Sequence, residues 1–419
     1  MTGHGYREEA HPHPEASRCP LCGQDNQCAL LQGKQVEACW CWKASIPKGL
    51  LERISDPLRG RACVCPSCVQ LYRKEQWQPS MVSRPGRKED AEAIDAFRLL
   101  QAYADNVRVT IGASAAAVIV MQHGRVLHEA YTGTHGPESG ARRVDAQSRF
   151  NVGSARKSYL GLVIAWAIHD GLIGSLDDPV SAYTPEHQDA DLLYGTTIRH
   201  LLTHTHGLNR SGGRDFAPGA SWSYNNFGVN LLIELAGRLY RKPFVHILEE
   251  RIFRPCGFTA TGWEKRRLED LVWLDESYPD DEGKSANLFV SARELASWGQ
   301  LYLQGGVYEG ARVVPASVIR QAISVATPEG LDLSWPRNGY FWQVQEQPCV
   351  RTELGDELPA GSFQMLGITG CAVLVIPELE IVAVRMYNQT GGNPEGYSYL
   401  EDIRGFGNLV QRAVKAREA

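Results

Sequence analysis

Apolar residues fall at helical spacing over residues 91–106, which predicts a helix there. Two β-prone runs follow, residues 115–121 and 125–131, on either side of His123-Gly124. Turn residues between such runs predict a hairpin. The arrangement returns near the other end of the chain, where residues 372–376 and 381–387 flank Pro377-Glu378. Between the hairpins the pattern is helical over residues 158–170, 226–240 and 291–303. The last of these opens with Ser291-x-x-Glu294, a capping box that satisfies first-turn amides and is structural. Strands from both ends enclosing a helical middle predict an α/β architecture: one antiparallel sheet flanked by helices, with a helical subdomain inserted. There are no repeats.

The chain has 419 residues, 43% hydrophobic and 22% charged, which is ordinary globular composition for two or three domains. The longest apolar stretch, residues 159–168, ends at His169-Asp170, far short of the ~18 residues of a membrane span. The opening MTGHGYREEAHPHPE is polar where a secretory signal would be apolar. The expectation is a cytoplasmic protein, neither exported nor membrane-anchored. Net charge is −5, with 13 Lys/Arg against 8 Asp/Glu in residues 1–88 and 30 against 40 beyond. That mild basic excess is not the dense basic face that nucleic acid demands, so nucleic acid is not an expected partner.

Cysteine divides the chain further. Eight of 11 cysteines lie within residues 19–68, marking residues 1–80 as a separate module. Residues 81–90, containing Arg84-Pro85-Gly86-Arg87, read as a linker, and residues 91–419 as the second domain. Cys19-x-x-Cys22 and Cys65-x-x-Cys68 have the spacing of paired thiolates that converge on tetrahedral zinc. Cys28, Cys39, Cys41 and Cys63 supply a second four-thiolate set, so two structural zincs would use all eight. The competing reading, a disulfide framework, needs an oxidising compartment. His4, His11 and His13 are competing ligands, though a His/Pro-rich terminus is more often simply flexible. The run CPLCGQ through EACWCWK to ACVCPSC also resembles the cysteine-rich CWC family, which implies a small metal-binding module without assigning it an activity. A protein partner of the module is left open.

Chemistry concentrates in three places. Ser154-Ala155-Arg156-Lys157 sets a hydroxyl and an amine on one helix face at the start of an apolar run, with Leu160, Ile164 and Ile168 continuing the face. Burial there lowers a lysine pKa, so a neutral Lys157 would take the Ser154 proton, and the helix-start amide would stabilise an oxyanion. Ser45-Ile46-Pro47-Lys48 repeats the spacing, but Pro47 denies it a regular helix interior. Tyr224-Asn225-Asn226 offers a phenol to protonate the leaving group or share the base role, and an Asn226 amide to bond lysine and substrate carbonyl. Gly367-Ile368-Thr369-Gly370 enters a strand, where glycine permits close backbone approach and an Ile368 or Thr369 amide completes an oxyanion hole. Arg156 points off the catalytic face and reads as a surface or rim residue; Trp342 lines the pocket or packs in the core. His200, His204 and His206 read as core or capping residues rather than as metal ligands.

These motifs, with FNVGSARKS, DDPVSAY, TTIRHLLTHTHGL, FAPGASWSYNN, SARELASWGQLYL and VIPELEIVAV, resemble in order the serine hydrolase superfamily of class C β-lactamases, penicillin-binding DD-peptidases and related esterases, over residues 92–415. The resemblance implies that fold, an acyl-enzyme on Ser154, Lys157 as base, Tyr224 as proton relay, Asn226 as a positioning group, and no catalytic cofactor. Ile368-Thr369-Gly370 departs from the Lys-Thr-Gly of β-lactamases and DD-peptidases, removing the cation that would meet a substrate carboxylate. With Tyr340-Phe341-Trp342 upstream, the chain looks more like the esterases and nylon-oligomer amide hydrolases of the superfamily, which implies a small ester or amide substrate. The competing expectation is a weakly active or inactive hydrolase fold that binds a partner through its zinc module.

Overall fold

The computed structural model describes residues 16–72 and 88–418, apart from 36–37, 43, 45, 55–58, 60–61, 70–71, 185–189, 210, 275–276, 280–282 and 348. His4, His11, His13, Ser45 and Arg84 to Arg87 lie outside the described residues. The chain divides into two compact units, Met1–Val82 and Ser83–Ala419.

In the first unit Cys19, Leu50, Ile54, Val64, Cys65, Val69 and Tyr72 form one small core, and Cys28, Ala29 and Cys39 a second. Trp40, the tryptophan of Cys-Trp-Cys, packs against both, and its indole N–H donates to Asn26 O at 3.0 Å. Cores this small hold few apolar side chains, the situation in which a bound metal ordinarily supplements burial.

In the second unit the main helices are α1 (Lys88–Thr110), α2 (Lys157–His169), α3 (Phe227–Tyr240), α4 (Ala292–Leu303) and α5 (Tyr399–Glu418). The strands are β1 (Ala115–Gln122), β2 (Arg125–Gly133), β3 (Arg149–Asn151), β4 (Thr261–Trp263), β5 (Leu271–Val272), β6 (Leu288–Ser291), β7 (Val307–Tyr308), β8 (Ala311–Arg312), β9 (Gln343–Val344), β10 (Phe363–Leu366), β11 (Ala372–Ile376) and β12 (Ile381–Tyr387). The expected sheet is present: six antiparallel strands in the order β2-β1-β12-β11-β10-β9, with β1 paired to β12 through Ala116↔Tyr387 to Gln122↔Ile381. Both expected hairpins close it. His123 and Gly124 turn the first with φ of 50° and 73°, the left-handed pair that matches strand twist.

Because side chains alternate across a strand, each central strand serves two cores. Val118, Val120, Leu374, Ile376, Ile381 and Ala383 meet Phe97, Leu100 and Ala104 of α1 and Phe406 and Val410 of α5. The opposite face packs on α4. Ser291 caps α4 by accepting from Glu294 N at 3.2 Å, but the reciprocal half of the box is not made. The Glu294 carboxylate instead accepts from Thr259 N and Ala260 N at 2.7 and 2.8 Å, tying a distant loop to the helix start. A second sheet, β4-β6-β3-β5, was not legible in the pattern because its strands are two to four residues long. It positions the Ser154 segment, since β3 runs directly into it.

Candidate active site and metal centre

Residues Gly153–Arg156 form a 3-10 turn, and α2 begins at Lys157. Side chains at i and i+3 eclipse in a 3-10 turn, which brings Lys157 Nζ to 2.8 Å from Ser154 Oγ. Lys157 is fully buried, and α2 is surrounded by protein on every side rather than along a stripe. Tyr224 reaches the same point from the loop before α3: its hydroxyl donates to Ser154 Oγ at 2.5 Å and accepts from Lys157 Nζ.

The electrostatics assign opposite tasks. Burial, aided by the Arg156 charge, holds Lys157 well below the ordinary lysine range and favours the neutral amine. Tyr224 exposes part of its ring, yet desolvation around the hydroxyl raises its pKa and keeps the phenol protonated. A neutral amine and a protonated phenol thus flank one serine hydroxyl.

Arg156 departs from expectation. It is 3% exposed, with guanidinium bonds to Lys284 O at 3.1 Å and Gly153 O at 3.4 Å, because the 3-10 turn directs it inward. Its charge therefore acts on Lys157 from within.

The Gly367-Ile368-Thr369-Gly370 turn joins β10 to β11 and lies on the Ser154 segment. A Cβ on Gly367 would stand 2.0 Å from Val152 O, and one on Gly153 would stand 3.2 Å from Ile368 N. Neither Ser154 N nor Ile368 N has an acceptor among the described residues. Two such amides in one gap suit an oxyanion. Thr369 serves differently: its hydroxyl is buried and donates to Asn151 O at 2.7 Å, clamping the turn to β3. Gly370 is left-handed at φ 86°, packed on Tyr387. The Ile368 side chain is 81% exposed.

Asn226 makes no bond to Lys157, and its Oδ1 is buried without a partner. Asn225 fixes the loop instead, donating to Leu208 O at 2.8 Å and accepting from Phe227 N at 3.0 Å. Trp342 is fully buried between Tyr302 and Phe363, so it belongs to the core and does not line a pocket. The histidines are structural: His200 Nδ1 accepts from Thr197 N, His206 Nδ1 accepts from Leu208 N, and His204 packs 4.7 Å from the Tyr224 ring. His204 burial, its φ of 57° and its support of Tyr224 were not legible in the sequence. A polar cavity of about 610 Å³ between Asp177, Arg199, His200 and Arg337 is lined by none of the Ser154 set.

In the first unit the sulfur atoms of Cys19, Cys22, Cys65 and Cys68 lie within 4.8 Å of one another and could hold a metal ion. The Cys19–Cys68 and Cys22–Cys65 sulfurs are 3.7 and 3.6 Å apart, contacts rather than disulfides. Four convergent thiols are the donor set of a closed tetrahedral site. The other four thiols also interact with one another in a less compact set: Cys39 and Cys41 sulfurs are 3.2 Å apart, Cys39 also meets Cys28, and Cys63 meets both Cys41 and Cys28.

The sheet, its helical covers and the Ser154–Lys157–Tyr224 geometry define a hydrolase-type fold with mixed helices and antiparallel strands. The chain belongs to the Beta-lactamase family, whose model matches residues 99–404, and it carries a Cysteine-rich CWC domain matching residues 19–70. It is 37% identical over 325 residues to uncharacterized protein BpOF4_21049 of Alkalihalophilus pseudofirmus, covering 74% of this chain and 95% of that one. It is 24% identical to the D-alanyl-D-alanine-carboxypeptidase/endopeptidase AmpH of Escherichia coli K12, over 51% of this chain and 64% of AmpH. Among solved structures it resembles EstCE1, a hydrolase with promiscuous acyltransferase activity, with a TM-score of 0.60 at 17% identity, covering 75% and 99% of the two chains. No helix among the described residues is long and apolar enough to cross a membrane.

Proposed function

We propose that this protein is a serine hydrolase that cleaves a small ester or amide through an acyl-enzyme on Ser154. The observation that carries the reading is the convergence of a buried Lys157 amine and the Tyr224 hydroxyl on one serine oxygen. Ser154 Oγ attacks the substrate carbonyl carbon while its proton passes to neutral Lys157. The resulting oxyanion rests on the amides of Ser154 and Ile368. Tyr224, kept protonated, relays a proton to the departing alcohol or amine, and Asn226 orients the carbonyl. Water then attacks the acyl-enzyme, giving its proton to the same base and releasing the acid and free Ser154. An exposed isoleucine at position 368 offers nothing to a substrate carboxylate, which favours substrates without one over β-lactams and peptide C-termini.

Zinc is the metal the Cys19, Cys22, Cys65 and Cys68 thiolates suit best, in a structural role, with Cys28, Cys39, Cys41 and Cys63 as a looser second set. Thiols that serve as ligands call for a reducing compartment, and we place the protein in the cytoplasm. Residues 1–80, 81–90 and 91–419 are taken as metal module, linker and hydrolase.

The experiment is hydrolysis of short-chain p-nitrophenyl esters by wild type and Ser154→Ala, with intact mass after fluorophosphonate treatment. Turnover and a single adduct, both lost in the variant, are expected. Neither turnover nor adduct from folded protein would instead support a binding protein that has kept the fold.

A further inference from the structure

The tyrosine that touches Ser154 sits on a loop, since residues 221–225 belong to no helix or strand. Three bonds anchor the residues around it: Ser223 N donates to His204 O at 2.9 Å, Trp222 Nε1 to Asn338 Oδ1 at 3.0 Å, and Asn225 Nδ2 to Leu208 O at 2.8 Å. None of them fixes the phenol ring, and Tyr224 is 46% exposed. A half-exposed side chain on a loop has several rotamers open to it, yet this hydroxyl is placed on Ser154 Oγ within hydrogen-bond distance.

The ring rests on His204. Their centroids are 4.7 Å apart, closer than those of Tyr224 and Trp222 at 6.4 Å. His204 is buried and also meets the Trp222 ring at 6.0 Å and the Phe341 ring at 5.4 Å, so it joins the loop to the segment just before β9. Two unusual backbone conformations accompany this packing: His204 and Phe341 are both left-handed, with φ of 57° and 66°. Histidine accepts that conformation more often than most residues, whereas a bulky aromatic side chain rarely does. The two segments are bonded where they meet, Phe341 N donating to Leu202 O at 3.2 Å. Strained backbone persists only where the surroundings over-determine it, and it clusters at functional sites. Here two such residues, far apart in sequence, meet behind the phenol that touches Ser154.

We propose that His204 is a positioning residue for Tyr224: its imidazole backs the phenol ring and its carbonyl holds the preceding residue, so that the hydroxyl stays on Ser154 Oγ. Phe341 holds His204 in turn. This role rests on the hydrolase reading, and His204 acts in it only through Tyr224. Burial, reinforced by the nearby Lys157 charge, keeps the imidazole well below the ordinary histidine range, so the ring stays neutral while Lys157 takes up and returns a proton.

The test compares ethyl butanoate with p-nitrophenyl butanoate, which share an acyl group and differ in what leaves. p-Nitrophenolate departs without a proton, whereas ethoxide needs one, supplied in this reading by Tyr224. His204→Asn removes the ring and installs a residue that tolerates the left-handed conformation. It is expected to lose about 100-fold in kcat for the ethyl ester, with KM little changed, and no more than about threefold for the p-nitrophenyl ester. Tyr224→Phe is expected to show the same selectivity, and adding His204→Asn to it to cost nothing further. Rates unchanged or equally reduced with both esters in folded His204→Asn, or a full further loss in the double variant, are what a merely structural role gives and overturn the proposal. Should circular dichroism show that His204→Asn has lost its fold, Phe341→Leu, which withdraws the ring behind His204, carries the same test. A crystal structure of the variant reads the placement without turnover: Tyr224 displaced from Ser154 Oγ supports the role, and Tyr224 unmoved overturns it. An unselective Tyr224→Phe, or a wild type that neither hydrolyses these esters nor takes a fluorophosphonate, would strike the hydrolase reading instead, and that crystal structure then decides the positioning separately.

Discussion

Gly367 and Ser154 are in backbone contact: a Cβ on Gly367 would lie 3.4 Å from Ser154 N while colliding with Val152 O. Only a residue without a side chain lets the β10–β11 turn lie on the Ser154 segment. Gly367→Ala is expected to lift the turn and widen the gap between the Ser154 and Ile368 amides, lowering kcat/KM for p-nitrophenyl acetate by about 100-fold. Steady-state kinetics alongside fluorophosphonate labelling rates check this. Wild-type rates in the variant would exclude that amide pair as the oxyanion site.

The buried amine sets the pH dependence. If Lys157 is the base, as proposed, its depressed pKa, lowered first by burial and then by Arg156, means that activity is expected to fall on the acid side and to persist through pH 9. The raised Tyr224 pKa puts loss of the phenol proton in still more alkaline solution. Arg156→Gln removes the second cause, so its acid limb moves to higher pH. A kcat/KM profile of both proteins reads the shift, and an unmoved limb would separate Arg156 from the base.

Stability carries the opposite sign. Between the depressed folded pKa and the unfolded value of about 10.4, folding strips a proton from Lys157, a cost that grows as pH falls. Lys157→Met is therefore expected to be inactive yet more stable by about 1–2 kcal/mol at pH 7, with the gain shrinking toward pH 10. Chemical denaturation at the two pH values measures it.

Away from the site, Arg385 and Asp402 form a buried two-bond ion pair at 2.9 Å between β12 and α5, with Tyr103 and Tyr397 also on Asp402. Asp402→Ala strands the guanidinium and is expected to cost about 3–5 kcal/mol, whereas the double change Arg385→Leu with Asp402→Leu recovers much of it. Denaturant midpoints for the single and double variants compare the two.

Metal removal is expected to act locally. If the thiol quartet binds a metal as proposed, chelation, or Cys22→Ser, should release it and open the first unit to proteolysis. Ester turnover is expected to persist, since Ser154, Lys157, Tyr224 and Ile368 all belong to the second unit. Metal content by mass spectrometry, limited proteolysis and turnover on one sample check all three.

Much of the molecule was legible because its signals are local. Continuous apolar runs over residues 115–121, 372–376 and 381–387 require strands that bury both faces, as β1, β11 and β12 do, and each hairpin carries its own turn residues. Ser154 and Lys157 announce themselves by spacing, since a separation of three places both side chains together in any tight right-handed turn. The cysteine pairs do the same.

What the chain did not disclose are contacts between segments far apart in sequence. Spacing alone sent Arg156 outward, left Trp342 open to either role and gave Thr369 an amide to offer; packing turned the first two inward and put the Thr369 hydroxyl on β3. The sequence by itself determined the long helices, the two hairpins of the large sheet and the serine–lysine spacing, because these depend on neighbours within a few residues. Tertiary structure alone decided which groups lose water, and desolvation is what favours the neutral amine of Lys157 that the proposed base role requires.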